Sequence, residues 1–279
     1  MKFKIYLEPL IELFFSNLDW GHKKLRFLGR IPIFRKKGFD KKHVRNLLDY
    51  TSEDINFLTK PLSLIGQIKE EGFSSKLSIS PSMLGHIRKY ILITPFVSRQ
   101  TGKGEYYLDL ENLKKPDKGY IYSIFNPHLK DLKIRNFAVK QVKPIADAYL
   151  GADSVILNSQ IWVTFPDEKS TYNPDFGFHY DIDDYRFLKL FVYLSDVDKD
   201  SGPHEIIRGS HLGNSFFRFF NRRLIEPLPK SLKNDVRVIL GKAGEGFFED
   251  TICYHKGARP KKPRLMFQLE FALNNNNKR

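Results

Sequence analysis

The chain has 279 residues, of which 41% are hydrophobic and 14% aromatic; this supplies one sizeable core and excludes a globally disordered protein. Lysine and arginine number 46 against 32 acidic residues, a net charge of +14 that points to an acidic partner (an anionic small molecule, a membrane surface or nucleic acid) without choosing among them. Cys253 is the only cysteine, so an internal disulfide framework and a CxxC zinc or redox site are excluded, and a reducing, cytoplasmic setting is expected.

The opening MKFKIYLEPLIELFFSNLDW is interrupted by Glu8, Pro9 and Glu12 and reads as a poor signal peptide. No apolar run approaches the ~18 residues of a membrane span. The first part, to about Phe73, reads mostly helical. Leu7, Leu10, Ile11, Phe14 and Phe15 recur at helical spacing and are followed by a basic stretch from Lys23 to Lys42. The plain reading packs this stripe on the body; the alternative is a peripheral membrane contact through the basic N-terminal region. Thr59-Lys60-Pro61 predicts a helix start and Gly72 its stop. Ser74 to Tyr122 is mixed in character, Asn126 to Leu150 is helical again, and Gly151 reads as its C-cap. Beyond Gly151 come eight short alternating segments: 159–165, 176–181, 187–194, 204–207, 236–240, 246–248, 252–255 and 265–273. They predict an antiparallel sandwich or barrel. The expectation is a mainly β protein with α-helices and a single domain over 1–279. A helical and mixed extension, 1–125, buttresses a β core, 126–279.

The sharpest local feature is Phe178-His179-Tyr180-Asp181. Residues two apart on a strand share a face, so His179 and Asp181 would aim together and hold two adjacent corners of a metal's coordination sphere. Two histidines and one carboxylate on one face leave other positions open, the pattern of non-haem Fe(II) oxygenases. His204, His211 and His255 are the histidines downstream of the pair. The first two sit at turns, and His255 ends an apolar segment, the better place for a ligand that closes a site from the far side. A lone HxD is more often hydrogen-bonded structure than a metal site. Arg264 follows His255 by 264 − 255 = 9 residues and opens a strand whose alternation puts Arg264, Met266 and Gln268 on one, more polar face. A fixed guanidinium in a cavity suits a carboxylate.

The stretch FHYDIDDYRFLKLFVYLSDVDKDSGPHEIIRGSH (178–211), with GFFEDTICYHKGARPKKPRLMFQLEFA (246–272), resembles the phytanoyl-CoA dioxygenase family. The shared order is HxD, an apolar strand ending in Leu-Ser-Asp-Val, Ser-Gly-Pro, Gly-Ser-His, and a distal His with its Arg. The likeness spans about 126–273 and fades before it. It implies a double-stranded β-helix (jelly-roll, cupin-like) fold with Fe(II) as cofactor and 2-oxoglutarate and O2 as cosubstrates. It implies His179, Asp181 and His255 as metal ligands and Arg264 as the anchor of the distal carboxylate of 2-oxoglutarate, with Gln160 as a second cosubstrate contact. The implied reaction hydroxylates a C–H bond and releases succinate and CO2. A carboxylate at Asp181, where related halogenases carry a small residue, favours hydroxylation over halogenation.

The substrate is not legible. Lys256, Arg259, Lys262 and Arg222 are expected on its rim, and with Phe216, Phe217, Phe219 and Phe220 of the 213–235 insert they point to a small anionic organic molecule. No obligate nucleic acid is expected: dealkylases of this cofactor class resemble a pattern with a second arginine six residues after the first, and Glu270 stands there. Two other readings are a non-catalytic basic β-roll that binds a membrane surface or nucleic acid, and a structural zinc site in a cupin-like protein. Lys189 could face the cavity or snorkel outward.

Overall fold

A computed structural model of the chain describes residues 41–48, 50–116, 119–166, 176–212, 218 and 220–273. The stripe from Leu7 to Phe15, the basic stretch as far as residue 40, and Phe216, Phe217 and Phe219 lie outside the described residues.

Among the described residues, two antiparallel sheets carry the fold. The larger contains β1 (Ile55–Phe57), β2 (Leu77–Ile79), β3 (Val97–Ser98), β4 (Ile121–Phe125), β5 (Val155–Thr164), β6 (Phe187–Tyr193), β9 (Glu245–Glu249) and β11 (Arg264–Ala272). Its order is β1-β2-β9-β6-β11-β5-β4-β3. The smaller sheet contains β7 (His204–Ile207), β8 (Val236–Ile239) and β10 (His255–Gly257) in the order β10-β7-β8. The 1–125 segment thus does more than buttress the roll. It contributes β1 to β4, strands of two to five residues that are too short to show a period in the sequence.

The large sheet has two buried faces of opposite character. Ile161 and Val163 of β5, Leu188, Leu190 and Val192 of β6, and Leu265, Phe267, Leu269 and Phe271 of β11 enter the main apolar core. There they meet Ile65 and Ile68 of the Pro61–Glu71 helix, Met83, Ile87 and Ile91 of the Pro81–Ile93 helix, and Ile145 of the Lys143–Leu150 helix. The alternate residues face the other way and line a cavity between the sheets.

Local signals explain most helix ends. Pro61 sits at the first helical position, where its missing N–H costs nothing. Gly72 takes φ +91° and donates to the Ile68 carbonyl; a Cβ there would meet Cys253 Sγ at 2.0 Å, so only glycine fits. Ser80 Oγ accepts from Met83 N and caps the 81–93 helix, which lies in the stretch read as mixed. The helical pattern of 126–150 is broken into Pro127–Lys130, Leu132–Asn136, a π-turn over Phe137–Val142 and Lys143–Leu150, because the Asp131 carboxylate draws Ile134 N to itself and starts a new helix. Gly151 closes the last of these in the left-handed region, as expected.

Two expected strands are not strands. Segment 176–181 makes only single-residue bridges at His179, to His255 and Arg223. Segment 252–255 begins as a turn, since Asp250 accepts from Ile252 N through its side chain and from Cys253 N through its carbonyl; ladder pairing starts at His255. No helix among the described residues is long and apolar enough to cross a membrane.

Candidate metal centre

The expected triad converges. His179, Asp181 and His255 each offer one ligand atom within 4.8 Å of the others. His179 Nε2 lies 3.7 Å from Asp181 Oδ1, and His255 Nε2 lies 3.6 Å from Asp181 Oδ2. Donor atoms bound at about 2.1 Å to one ion stand roughly 3–4 Å apart, so the spacing fits a metal. Backbone pairing sets it: His179 N donates to His255 O (3.0 Å), His255 N returns a bond to His179 O (2.8 Å), and Asp181 N donates to Thr251 O (2.8 Å). His179 Nδ1 is 2.9 Å from Gly177 O and His255 Nδ1 is 3.0 Å from Cys253 O. A carbonyl only accepts, so both Nδ1 atoms carry the proton and both Nε2 lone pairs face Asp181.

The charges suit the same purpose. Burial lowers His255 to about 4 and His204 to about 3, and it lowers His179 as well, so these imidazoles are neutral near pH 7. Burial alone would raise Asp181, but Lys189, His255 and His179 outweigh it and hold the carboxyl well below the usual range. Lys189 points inward from β6: its Nζ donates to Asp181 Oδ2 (2.8 Å) and Asp183 Oδ2 (2.7 Å) and lies 3.8 Å from Glu270 Oε2. Burial opposes its charge, but Asp181 and Asp183 keep it protonated; burial and the neighbouring Asp183 raise the Glu270 carboxyl well above the usual range.

Of the other downstream histidines, His211 is structural: its Nε2 is 3.0 Å from Lys69 O and its Nδ1 is 3.1 Å from Cys253 Sγ. His204 lines the cavity and stacks on His255 at 5.4 Å. Its Nε2 approaches Glu249 Oε2 to 2.7 Å without hydrogen-bond alignment, and burial raises Glu249 to about 8.

The cavity measures about 350 Å³. Its floor is the polar face of the large sheet, and strand register arranges it in rows. Thr164 pairs with Arg264, Trp162 with Met266, Gln160 with Gln268, and Asn158 with Glu270; Phe191 and Lys189 of β6 continue the last two rows. Arg264 is buried, and its guanidinium donates to the Gly202 carbonyl. Arg264 Nε and Thr164 Oγ1 have no hydrogen-bond partner among the described residues. Two orphaned polar groups side by side on the cavity floor form a cradle for a carboxylate. Gly257 roofs it closely, since a Cβ there would come within 2.8 Å of a terminal Arg264 nitrogen.

The other expected site residues divide. Gln160 lines the cavity and accepts from Arg99, whose guanidinium lies 5.2 Å over Trp162. Of the expected rim, Arg259 reaches the site indirectly, at 5.4 Å over Phe176, a lining residue. Lys256, Lys262 and Arg222 are not lining residues. Lys256 is bound by Glu226 and Glu205, Lys262 by Asp198, and Arg222 braces the HxD segment from outside by donating to Tyr180 O. Arg99, Asp183, Glu249 and Thr164 had no place in the sequence reading. Arg99 lies in the poorly patterned middle stretch, and only the register reveals Thr164.

No protein-family model and no curated protein matches the chain. Solved structures do. The non-haem α-ketoglutarate-dependent epimerase SnoN from nogalamycin biosynthesis superposes with a TM-score of 0.53 at 14% identity, over 76% of this chain and 83% of that one. EctD from S. alaskensis gives 0.50 at 18%, over 81% and 80%. EvdO2 from Micromonospora carbonacea var. aurantiaca gives 0.50 at 13%, over 79% and 93%. What these likenesses establish is the architecture: the chain has the cupin-like double-stranded β-helix fold shared by α-ketoglutarate-dependent non-haem iron enzymes.

Proposed function

We propose that the protein is an Fe(II)/2-oxoglutarate-dependent oxygenase of the phytanoyl-CoA dioxygenase kind that hydroxylates a C–H bond of a small organic molecule. The observation that carries this reading is the presence in one cavity of the His179/Asp181/His255 set, with both Nε2 lone pairs aimed inward, and of Arg264 and Thr164, whose Nε and Oγ1 have no partner among the described residues. Structures of SnoN with Fe3+ and α-ketoglutarate and of EctD with Fe, which share the fold, agree with this choice of metal and cosubstrate.

In this reading His179, Asp181 and His255 hold the iron. With 2-oxoglutarate and O2 bound, the iron supplies the oxidising chemistry, and succinate and CO2 are released. The remaining work belongs to the chain. Arg264 and Thr164 grip the distal carboxylate of 2-oxoglutarate and orient it along the floor. The Nδ1–H bonds to Gly177 and Cys253 fix the ligand rings, and Lys189 fixes the Asp181 carboxylate. Met266, Phe191 and Trp162 form an apolar strip that limits water near the reacting atoms.

The test is succinate formation from 2-oxoglutarate by the purified chain, with Fe(II) present or chelated. Metal-dependent turnover, even without a substrate, supports the proposal, and Asp181→Ala should abolish it. Turnover that survives chelation, or that survives in Asp181→Ala, refutes it.

A further inference from the structure

Away from the cavity, the Pro81–Ile93 helix and the helical segments of 127–142 are tied along one edge. His86 Nε2 lies 2.9 Å from Asp131 Oδ1 and 3.0 Å from its Oδ2, and Lys133 Nζ donates to Ser82 Oγ at 3.0 Å. Both elements bury their inner residues in the main core: Met83, Ile87 and Ile91 on one, Ile134, Phe137, Ala138 and Val142 on the other. Their outer residues keep the complementary helical spacing. His86, Lys89 and Ile93 follow one another at intervals of three and four, and so do Leu132, Arg135 and Val139. The tied edge of each element therefore continues into a stripe of outward positions.

The apolar residues of these stripes stand in water. Ile93 is 77% exposed, Leu132 71%, and Leu129, just before Asp131, 65%; Leu92 and Val139 are exposed as well. Single exposed apolar residues are ordinary, but a group on two tied elements marks an interaction surface. The charge around them has one sign. Segments 81–93 and 127–142 hold six lysines and arginines and one acid, Asp131, which is held by His86 and accepts from Ile134 N. Lys89, Lys130, Arg135 and Lys140 make no hydrogen bond or ion pair among the described residues. Lys242, Lys261 and Lys262, on another part of the surface, each meet a carboxylate.

We propose that the face formed by 81–93 and 127–142 docks the protein on a membrane surface rich in anionic phospholipid. Aliphatic tips among unpaired cations fit that boundary: the tips enter the acyl region and the cations meet the headgroups. A nucleic acid would use the cations and leave the tips idle, since bases stack on aromatic rings. A second copy of the same face would set like charge against like. The contact lies on the body of the protein, not on the basic stretch before residue 42, and it does not depend on the oxygenase reading.

Flotation of the full chain with vesicles tests this. Phosphatidylcholine vesicles are compared with vesicles that also contain phosphatidylglycerol, at low and at high salt. The mixed vesicles should bind about tenfold more tightly or better at low salt, and high salt should weaken that binding. Lys89→Glu with Lys140→Glu should lower affinity for the mixed vesicles about tenfold, and Ile93→Ser with Leu132→Ser about fivefold. The four positions are exposed, and thermal melts confirm that both double variants fold. No preference for the mixed vesicles, absence of binding included, overturns the inference. So does full binding by either double variant, which moves the contact to another part of the chain or leaves the aliphatic tips without a role. A mixed-sequence DNA duplex that binds more tightly than the mixed vesicles, or self-association that Ile93→Ser with Leu132→Ser abolishes, gives the face to another occupant and overturns it too.

Discussion

Lys189→Met isolates the electrostatics of the candidate centre. The side chain keeps its length and apolar stem, and only the buried ammonium is lost. In the metal-free protein that ammonium makes two charge-assisted bonds, at 2.8 Å to Asp181 and 2.7 Å to Asp183, with 7% of its side chain exposed. Removing one partner of a buried pair leaves the other charge uncompensated and costs about 3–5 kcal/mol. In a chain of this size each kcal/mol moves the melting temperature by roughly 2–4 °C, so a drop on the order of 10 °C is expected. A divalent ion supplies the missing positive charge at Asp181. Mn(II) should therefore stabilise the variant by at least about 1 kcal/mol more than it stabilises the wild type. Urea unfolding of both proteins, with chelator and with Mn(II), measures the two quantities. A metal-free loss under about 1 kcal/mol, or equal stabilisation of both proteins by Mn(II), would show that Lys189 does not hold the Asp181 charge.

Three further outcomes are expected. Gly257→Ala places a methyl group against the guanidinium of Arg264, a side-chain end that can shift, so the fold should survive while Mn(II)-dependent 2-oxoglutarate affinity falls about tenfold, roughly 1.4 kcal/mol by titration calorimetry; unchanged affinity would detach Arg264 from the cosubstrate. Cys253 is fully buried, and burial raises its thiol to about 12, so it should resist a thiol reagent at pH 8 in the native protein and react completely in urea; rapid native labelling would refute its placement. Glu249 is raised to about 8 by burial, so the folded state holds a proton that the unfolded carboxyl releases near pH 4.5. The stability this group gives is therefore whole below pH 4.5 and is lost as pH rises to 8. The lowered histidines still titrate in the unfolded state over part of this range and offset that loss, so the difference between two proteins isolates the group. Between pH 6.5 and 8 the stability of metal-free wild type should fall by about 1.5 kcal/mol relative to Glu249→Gln. Parallel profiles of the two proteins over this range would be the contrary result.

Period-two alternation made much of the site readable. It aligned His179 with Asp181 and put Arg264, Met266 and Gln268 on one face, and all three line the cavity. It failed for Lys189 because β6, FLKLFVY, is buried on both faces, and such a strand reads as a continuous apolar run with one charge in it. It failed at Ile252–His255 because the Asp250 side chain captures the backbone before the ladder can form. The basic rim misled for a different reason. Lys256 and Lys262 look like a free cluster along the chain, while the carboxylates that neutralise them, Glu205, Glu226 and Asp198, arrive from distant segments. The row at Glu270 was equally hidden, since Asn158 and Glu270 become neighbours only through the pairing of β5 with β11.

The placement of β11 bears on how the molecule is made. The strand that carries Arg264, Gln268 and Glu270 comes last in sequence among the described strands, yet it inserts between β5 and β6 at the middle of the large sheet. A polypeptide leaving the ribosome therefore holds two unjoined half-sheets with exposed hydrogen-bonding edges until these residues emerge. Synthesis intermediates are expected to need chaperone protection, and a chain that stops short of residue 264 should aggregate rather than yield a folded but inactive protein.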